Sequence, residues 1–585
     1  MRYQSQSVAY WYFAVAMVLF GLQLVFGLLS ATKYIGPDPL LYILPFDVTK
    51  VIHTNLLIVW VLTGFMGATY WMIPEESRAE LHSTKLAYVQ LVLWTLMGVT
   101  AIIGYLFRYG TGNKLLEQPL PHKIVIVICM LIFLYNIGMT IRKAGRFTTT
   151  EAVLMIGFVS AALLYLPALL HYENYTVSIF YRWWTIHLWV EGVWMMIMGG
   201  FLAYLLIRLS GADREVMEKW LYVIVGLVFL AGILGTAHHY YWVGVPTYWL
   251  PIGGFFSALE PLALVGMAAY AYGAMRRSGL AHPNTLALHW TIGSALFSLF
   301  GAGLLGLAHT WPSVNKWTHG TLITAMHGHA AFYGAYAMIV MAMISYALPS
   351  LTAGRREQGT ALGYWAFWLQ ITGMFGMTLS FATAGIAQVY LERIMGMGYL
   401  DAQLKIQVHF VMLIITASIF TVGVALWLVY GGVALLMLLA ILPFLPQPSV
   451  TDAPVSDASS NASIAHLGWV YFLYGLGYII PATFLSQMAI AQFKGAWQAD
   501  LFWPCFGLAA ALGVLLVSLR RHDPATTRHW LMATLWLQAA GVFACLLGSG
   551  IGGVSTLMGI GGGTLSVPIL NALRVPMHTA VGTGA

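Results

Sequence analysis

Apolar residues run along this chain in long blocks, and short polar stretches between them carry most of the charge. A helix needs about 20 mostly apolar residues to cross the hydrocarbon core of a bilayer. Blocks of that order fall at about 9–31, 51–74, 85–107, 123–141, 150–169, 183–207, 218–243, 250–274, 285–308, 319–347, 363–388 and 405–430, which predicts twelve membrane-crossing helices. After about residue 430 the pattern changes. A short apolar piece, Gly431 to Leu445, leads into a linker rich in Pro, Ser, Ala and Asp that begins at Pro446. Three further blocks follow at about 467–488, 500–518 and 529–549, and Gly559-Ile-Gly-Gly-Gly-Thr-Leu-Ser-Val-Pro opens what reads as another membrane unit. The chain reaches Ala585 before such a unit could bury its surface. The expectation is an all-α polytopic membrane protein with one complete unit, residues 1–430, and two partial ones, 431–550 and 551–585.

Composition agrees with that division and narrows the class. The 585 residues are 60% hydrophobic and 8% charged, with a mean hydropathy of +0.79, values that exclude an ordinary soluble domain. The net charge of +7 comes without a basic stripe interleaved with aromatics, so it reads as the excess of Lys and Arg in cytoplasmic loops and not as a nucleic-acid footprint. With the N-terminus inside, the inner loops hold Arg142, Lys143, Arg146, Arg214, Lys219, Arg276, Arg277, Arg355 and Arg356. Cys129, Cys505 and Cys545 form neither a disulfide framework nor a C-x-x-C-H haem-attachment motif. Any covalent haem c is therefore expected on another chain. The first apolar block has no small-residue cleavage site behind it and is expected to be a membrane helix, not a removable signal.

Ionisable side chains inside the blocks carry the candidate chemistry, because they are costly at that depth. The stretch Trp317 to Pro349 holds His327 and His329 near its middle. Two positions apart on a helix means roughly 200° of rotation, so the two imidazoles leave on nearly opposite faces of one post. His53 lies in the second block, His187 and Glu191 in the sixth, His238 and His239 in the seventh, and Glu260 in the eighth. The i, i+4 spacing puts His187 and Glu191 on one helix face. Three imidazoles and a carboxylate suit a non-haem iron, which His187, His238, His239 and Glu191 fit. A haem held from both sides fits His53 with His329, and His327 would hold a second haem with one face open for chemistry. Singly, each of these has a plainer reading: a helix-end histidine for His53, an interfacial pair beside Tyr240, Tyr241 and Trp242 for His238 and His239, and a neutral buried acid for Glu191 or Glu260. Taken together, they would need that plainer reading to coincide in five spans. His82, His122, His171, His282, His289, His309, His319 and His409 fall in loops or near span ends and are read as structural.

The motifs H-x-x-x-E-G-V-W, G-T-x-H-H-Y-x-W-x-G-V-P-x-Y-W, F-S-A-L-E-P and H-G-H-x-A-F-Y-G-A-Y-A-M, together with twelve blocks, make residues 1–430 resemble the large subunit of the cytochrome c-dependent nitric oxide reductases, within the haem-copper oxidase superfamily. The resemblance implies a twelve-helix bundle in which low-spin haem b lies between His53 and His329, and His327 holds high-spin haem b3. It assigns non-haem iron to His187, His238, His239 and Glu191, and makes Glu260 an acid beside the site. It implies reduction of two nitric oxide molecules to nitrous oxide and water. Electrons would come from a membrane-anchored cytochrome c subunit in the bacterial cytoplasmic membrane; a quinol-using relative would carry an N-terminal extension. Oxygen-reducing oxidases typically carry a cross-linked tyrosine near the metal histidine, in many of them one helical turn after it, where this chain has Glu191. Two positions depart from the family pattern: Met195 stands for a second glutamate, and Lys114 stands for an acid associated with a bridging calcium, while Glu117 matches. Residues 431–550 resemble part of a major-facilitator transporter and 551–585 the start of a sulfite exporter, so a chimeric reading frame is expected. Alternatives to nitric oxide reduction are oxygen reduction, or transport with the tail as the working part.

Overall fold

The computed structural model describes residues 2–36, 38, 40, 42–279, 284–351 and 361–432. Of the transporter-like and exporter-like segments expected over 431–550 and 551–585, everything after Gly432 lies outside the described residues, as does His282. Among those described there are helices and no strands.

Among the described residues, twelve helices are long and apolar enough to cross a membrane, Gln4–Thr32, Phe46–Ser77, Thr84–Leu106, Leu120–Ala144, Thr149–Leu169, Tyr175–Ser210, Arg214–His239, Trp249–Ser278, Thr285–Thr310, Leu322–Leu351, Ala361–Ile394 and Gln407–Gly431. Local sequence sets their ends. Ser83, Asn174, Asp213 and Asn284 each accept a hydrogen bond from a backbone N–H of the first turn they precede, the usual N-cap solution for donors that lack a helical partner. Thr148 and Glu151 form a reciprocal capping box at the fifth helix.

Burial divides the twelve into two groups. In the second, sixth and tenth helices 83% of the most apolar stretch is buried, against 28–44% in the other nine. Those three form the centre of the bundle, and they carry His53, His187, Glu191, His327 and His329. The outer helices turn apolar stripes outward: Val89, Val92, Leu96, Val99 and Ile103 of the third helix are each 46–56% exposed, at helical spacing, as a lipid-facing surface requires. Close approach at the centre depends on missing side chains. A Cβ on Gly64 of the second helix would lie 2.4 Å from Val340 of the tenth, and one on Gly301 would lie 2.4 Å from the backbone of Ala330. At one end of the bundle, Arg214 makes a bidentate pair with Glu76 at 2.8 Å for both bonds, and Arg208 meets Glu75 at 3.0 Å. These bonds tie together the ends of the second, sixth and seventh helices.

Three departures from regular helix matter for the site. The stretch from Trp317 does not form one post: Pro312–Thr318 is a separate short helix, Gly320 turns the chain at φ +73°, and Thr321 caps Leu322 onward. The sixth helix widens into a π-turn at Leu188–Val193. The seventh ends in a tight 3-10 turn, Thr236–His239, where a continuing α-helix to about residue 243 was expected.

Candidate active site

The wide turn and the 3-10 turn just described bring four side chains together. His187 precedes the π-turn, Glu191 lies within it, and His238 and His239 close the 3-10 turn of the neighbouring helix. Their ligand atoms all lie within 4.8 Å of one another. Glu191 Oε1 is 3.7 Å from His187 Nδ1, 3.6 Å from His238 Nε2 and 3.9 Å from His239 Nε2. His187 is 1% exposed and His238 8%. Both ring nitrogens of His187 and Nδ1 of His238 lack a hydrogen-bond partner among the described residues. An orphaned polar atom in the interior costs on the order of 1–3 kcal/mol; a metal takes one lone pair from each imidazole, so it would satisfy one of the two His187 nitrogens, with His238 and His239 offering the Nε2 atoms that face Glu191. Trp183 stacks on His239, with ring centroids 4.4 Å apart and planes 7° apart. The Ser257 hydroxyl donates to Glu191 Oε2 and leaves Oε1 toward the imidazoles.

His53 and His329 face each other with ring centroids 6.1 Å apart and planes 23° apart. With metal–nitrogen bonds of about 2.0 Å and ring nitrogens about 1.1 Å from their centroids, a metal between two opposed imidazoles sets the centroids about 6.2 Å apart. The observed pair fits that span. Its tautomers fit as well: His53 Nδ1 is 2.9 Å from the Gln23 carbonyl and His329 Nδ1 is 2.8 Å from the Ala325 carbonyl. An N–H committed to a carbonyl leaves Nε2 as the ligating atom. His327 follows the same rule, with Nδ1 3.0 Å from the Gly301 carbonyl. The positions of His327 and His329 on one helix thus serve two different neighbourhoods.

One cavity of about 750 Å³ is lined by His53, His187, Glu191, His239, His327 and His329. Lys114 and Met195 also line it, and Met195 is 2% exposed. Where the family pattern has a second carboxylate, the wall one turn beyond Glu191 is therefore apolar. Glu117, 5% exposed, accepts a hydrogen bond of 3.0 Å from Asn55; burial pushes its carboxyl pKa up. Glu260 is the first residue of the helix Glu260–Ser278, and its side chain lies outside the described residues.

Sequence reasoning missed several contributors. His309, read as a span-end residue, is buried between the Thr318 and Thr324 hydroxyls with its ring 6.2 Å from that of His327. Ser257 stands inside the F-S-A-L-E-P motif, yet nothing in the motif marks its hydroxyl as a partner of Glu191. The carbonyls of Gln23, Gly301 and Ala325 leave no side-chain signature at all.

A membrane bundle whose central helices place opposed and clustered histidines around one cavity defines a class, and comparison with known proteins agrees. A family model described as Cytochrome C and Quinol oxidase polypeptide I matches residues 7–419, and the chain belongs to that family. Within it, the chain is 45% identical over 449 residues to a nitric oxide reductase subunit of Stutzerimonas stutzeri, covering 73% of this chain and 94% of that protein. It is 22% identical over 417 residues to a cytochrome c oxidase subunit 1 homolog of Agrobacterium tumefaciens, covering 67% of this chain and 74% of that protein. A Cbb3-type cytochrome c oxidase subunit of Stutzerimonas stutzeri is 22% identical over 367 residues, covering 59% and 75%. A second family model, described as Uncharacterised MFS-type transporter YbfB, matches residues 392–571.

Proposed function

We infer that the chain is the catalytic subunit of a nitric oxide reductase, taking electrons from a membrane-anchored cytochrome c subunit in a bacterial cytoplasmic membrane. The observation that carries this reading is Glu191 among three histidines, on the wall of the cavity that His327 also lines. Two nitric oxide molecules, two electrons and two protons give one nitrous oxide and one water. His53 and His329 would hold low-spin haem b, His327 haem b3, and His187, His238, His239 and Glu191 a non-haem iron. When bound, these groups would relay the electrons from the cytochrome c subunit and provide a pair of electrophilic metals for the substrate.

The residues do the remainder. Three neutral imidazoles and one carboxylate contribute a single negative charge, which leaves a bound divalent ion net positive. Ser257 keeps the Glu191 carboxylate from rotating by donating to Oε2. Met195 makes the cavity wall one turn beyond Glu191 apolar, so the two protons that leave in the water come by another route, with Glu260 as their donor.

The test is an anaerobic assay of the full chain coexpressed with a cytochrome c partner and purified in detergent. Expected are two b-type haems, one further iron and no copper per chain, with nitrous oxide formed from nitric oxide. Rapid oxygen consumption with copper present would favour the oxygen-reductase reading, and a colourless protein the transporter reading.

A further inference from the structure

The π-turn that carries Glu191 leaves one backbone carbonyl without its helical donor. Trp194 N–H reaches back five residues to the Trp189 carbonyl, and the α-helix Trp194–Ser210 begins there. When the four-residue register resumes, the carbonyl passed over is that of Val190. In a bilayer interior an unpaired carbonyl costs several kcal/mol, so it must find another donor. The Tyr336 hydroxyl donates to it. Tyr336 itself belongs to a π-turn, Tyr333–Ala337, on the helix of His327 and His329. Two wide turns on neighbouring central helices therefore meet at one hydrogen bond. Tyr336 is 3% exposed, with its ring edge-on to Trp194 at 5.4 Å and to Phe65 at 6.3 Å, so packing fixes where the hydroxyl points.

We propose that Tyr336 is a positioning residue for the four-residue metal set, acting through the Val190 carbonyl to hold the wide turn that aims Glu191. In a regular α-helix, residues four apart are offset by roughly 40° about the axis. The wide turn changes that offset between His187 and Glu191, and with it the direction of the carboxylate relative to His238 and His239 on the next helix. Without the hydroxyl, the turn's stray carbonyl is unpaired, and collapse to the regular register becomes the way to satisfy it. The inference rests on reading the four residues as an iron site.

The experiment compares wild type, Tyr336→Phe and Tyr333→Phe, each as the full chain with its cytochrome c partner. Tyr333 lies in the same turn, but its buried hydroxyl has no hydrogen-bond partner among the described residues, which makes it the matched control. The readouts are iron per haem after dialysis against a chelator and the optical spectrum of the low-spin haem. Tyr336→Phe should weaken iron retention by up to about tenfold, the low end of the scale for losing a partner bonded directly to a metal ligand, because Tyr336 acts one step further out through the Val190 carbonyl. The low-spin spectrum should not move, and Tyr333→Phe should keep its iron. The proposal is overturned by wild-type iron retention in Tyr336→Phe, by equal loss in both variants, or by loss of the low-spin signal along with the iron. A wild-type chain that binds haem but no further iron refutes the underlying site reading, before any variant is compared.

Discussion

Replacing Gly27 with alanine puts a methyl group where His53 already stands. The new Cβ would lie 2.8 Å from both Cε1 and Nδ1 of the His53 ring and 3.7 Å from Nε2. Carbon contacts are comfortable from about 3.5 Å, so the ring has to retreat by roughly 0.7 Å. The clash falls on the edge whose Nδ1 bonds the Gln23 carbonyl at 2.9 Å, so the methyl and that hydrogen bond compete for one place. A metal–nitrogen bond tolerates displacement of only about 0.2 Å. The His53–His329 pair, with centroids 6.1 Å apart, has no slack to absorb the difference. Overpacking of this kind costs about 1–3 kcal/mol, which corresponds to roughly 5- to 150-fold in affinity for the group between the two rings. The assay is haem count per chain and haem transfer to an excess of apomyoglobin, followed by the low-spin signal in the reduced-minus-oxidised spectrum. Gly27→Ala should lose the low-spin haem several-fold faster while the high-spin haem and the non-haem iron stay. An unshifted low-spin signal with unchanged transfer kinetics would refute the argument that His53 ligates from this position.

Gly306→Ala is the complementary change: its Cβ would lie 3.0 Å from His327 Cε1, so the high-spin signal should weaken, less severely, with the low-spin signal retained. Ser257→Ala frees the Glu191 carboxylate to rotate and should weaken iron binding about 10- to 100-fold, read by metal titration, with both haem spectra unchanged. Lys114 is held below the ordinary lysine pKa by desolvation at the cavity wall and by Lys50 and Arg182, with Glu117 partly opposing. A depressed folded value gives stability that is present above the ordinary lysine range and lost as pH falls through the lowered value. Lys114→Met should therefore raise Tm at pH 7, with a gain that shrinks toward about pH 10. Calcium should leave the wild-type Tm unchanged, whereas Lys114→Glu, which sets a second carboxylate near Glu117, should make Tm rise with added calcium.

The twelve spans were legible in the chain because crossing a bilayer is a local requirement: about 20 apolar residues in succession satisfy it whatever surrounds them. The histidines and Glu191 were legible for a related reason, since ionisable groups stand out against such blocks. Local spacing also put His187 and Glu191 within reach of each other, and it separated His327 from His329 around one helix. Tertiary structure alone decided which three helices lie at the centre, and so which polar residues share a cavity. It also set the π-turn at Leu188–Val193, the break at Gly320 and the 3-10 turn that presents His238 and His239. The partners that fix each imidazole and carboxylate come from far along the chain: Gln23 for His53, Gly301 for His327, Ser257 for Glu191 and Tyr336 for the turn beneath it. A wide helical turn carries no composition of its own; it persists where a neighbour supplies the donor its stray carbonyl lacks. That donor is a fact of packing, and packing is absent from the order of residues.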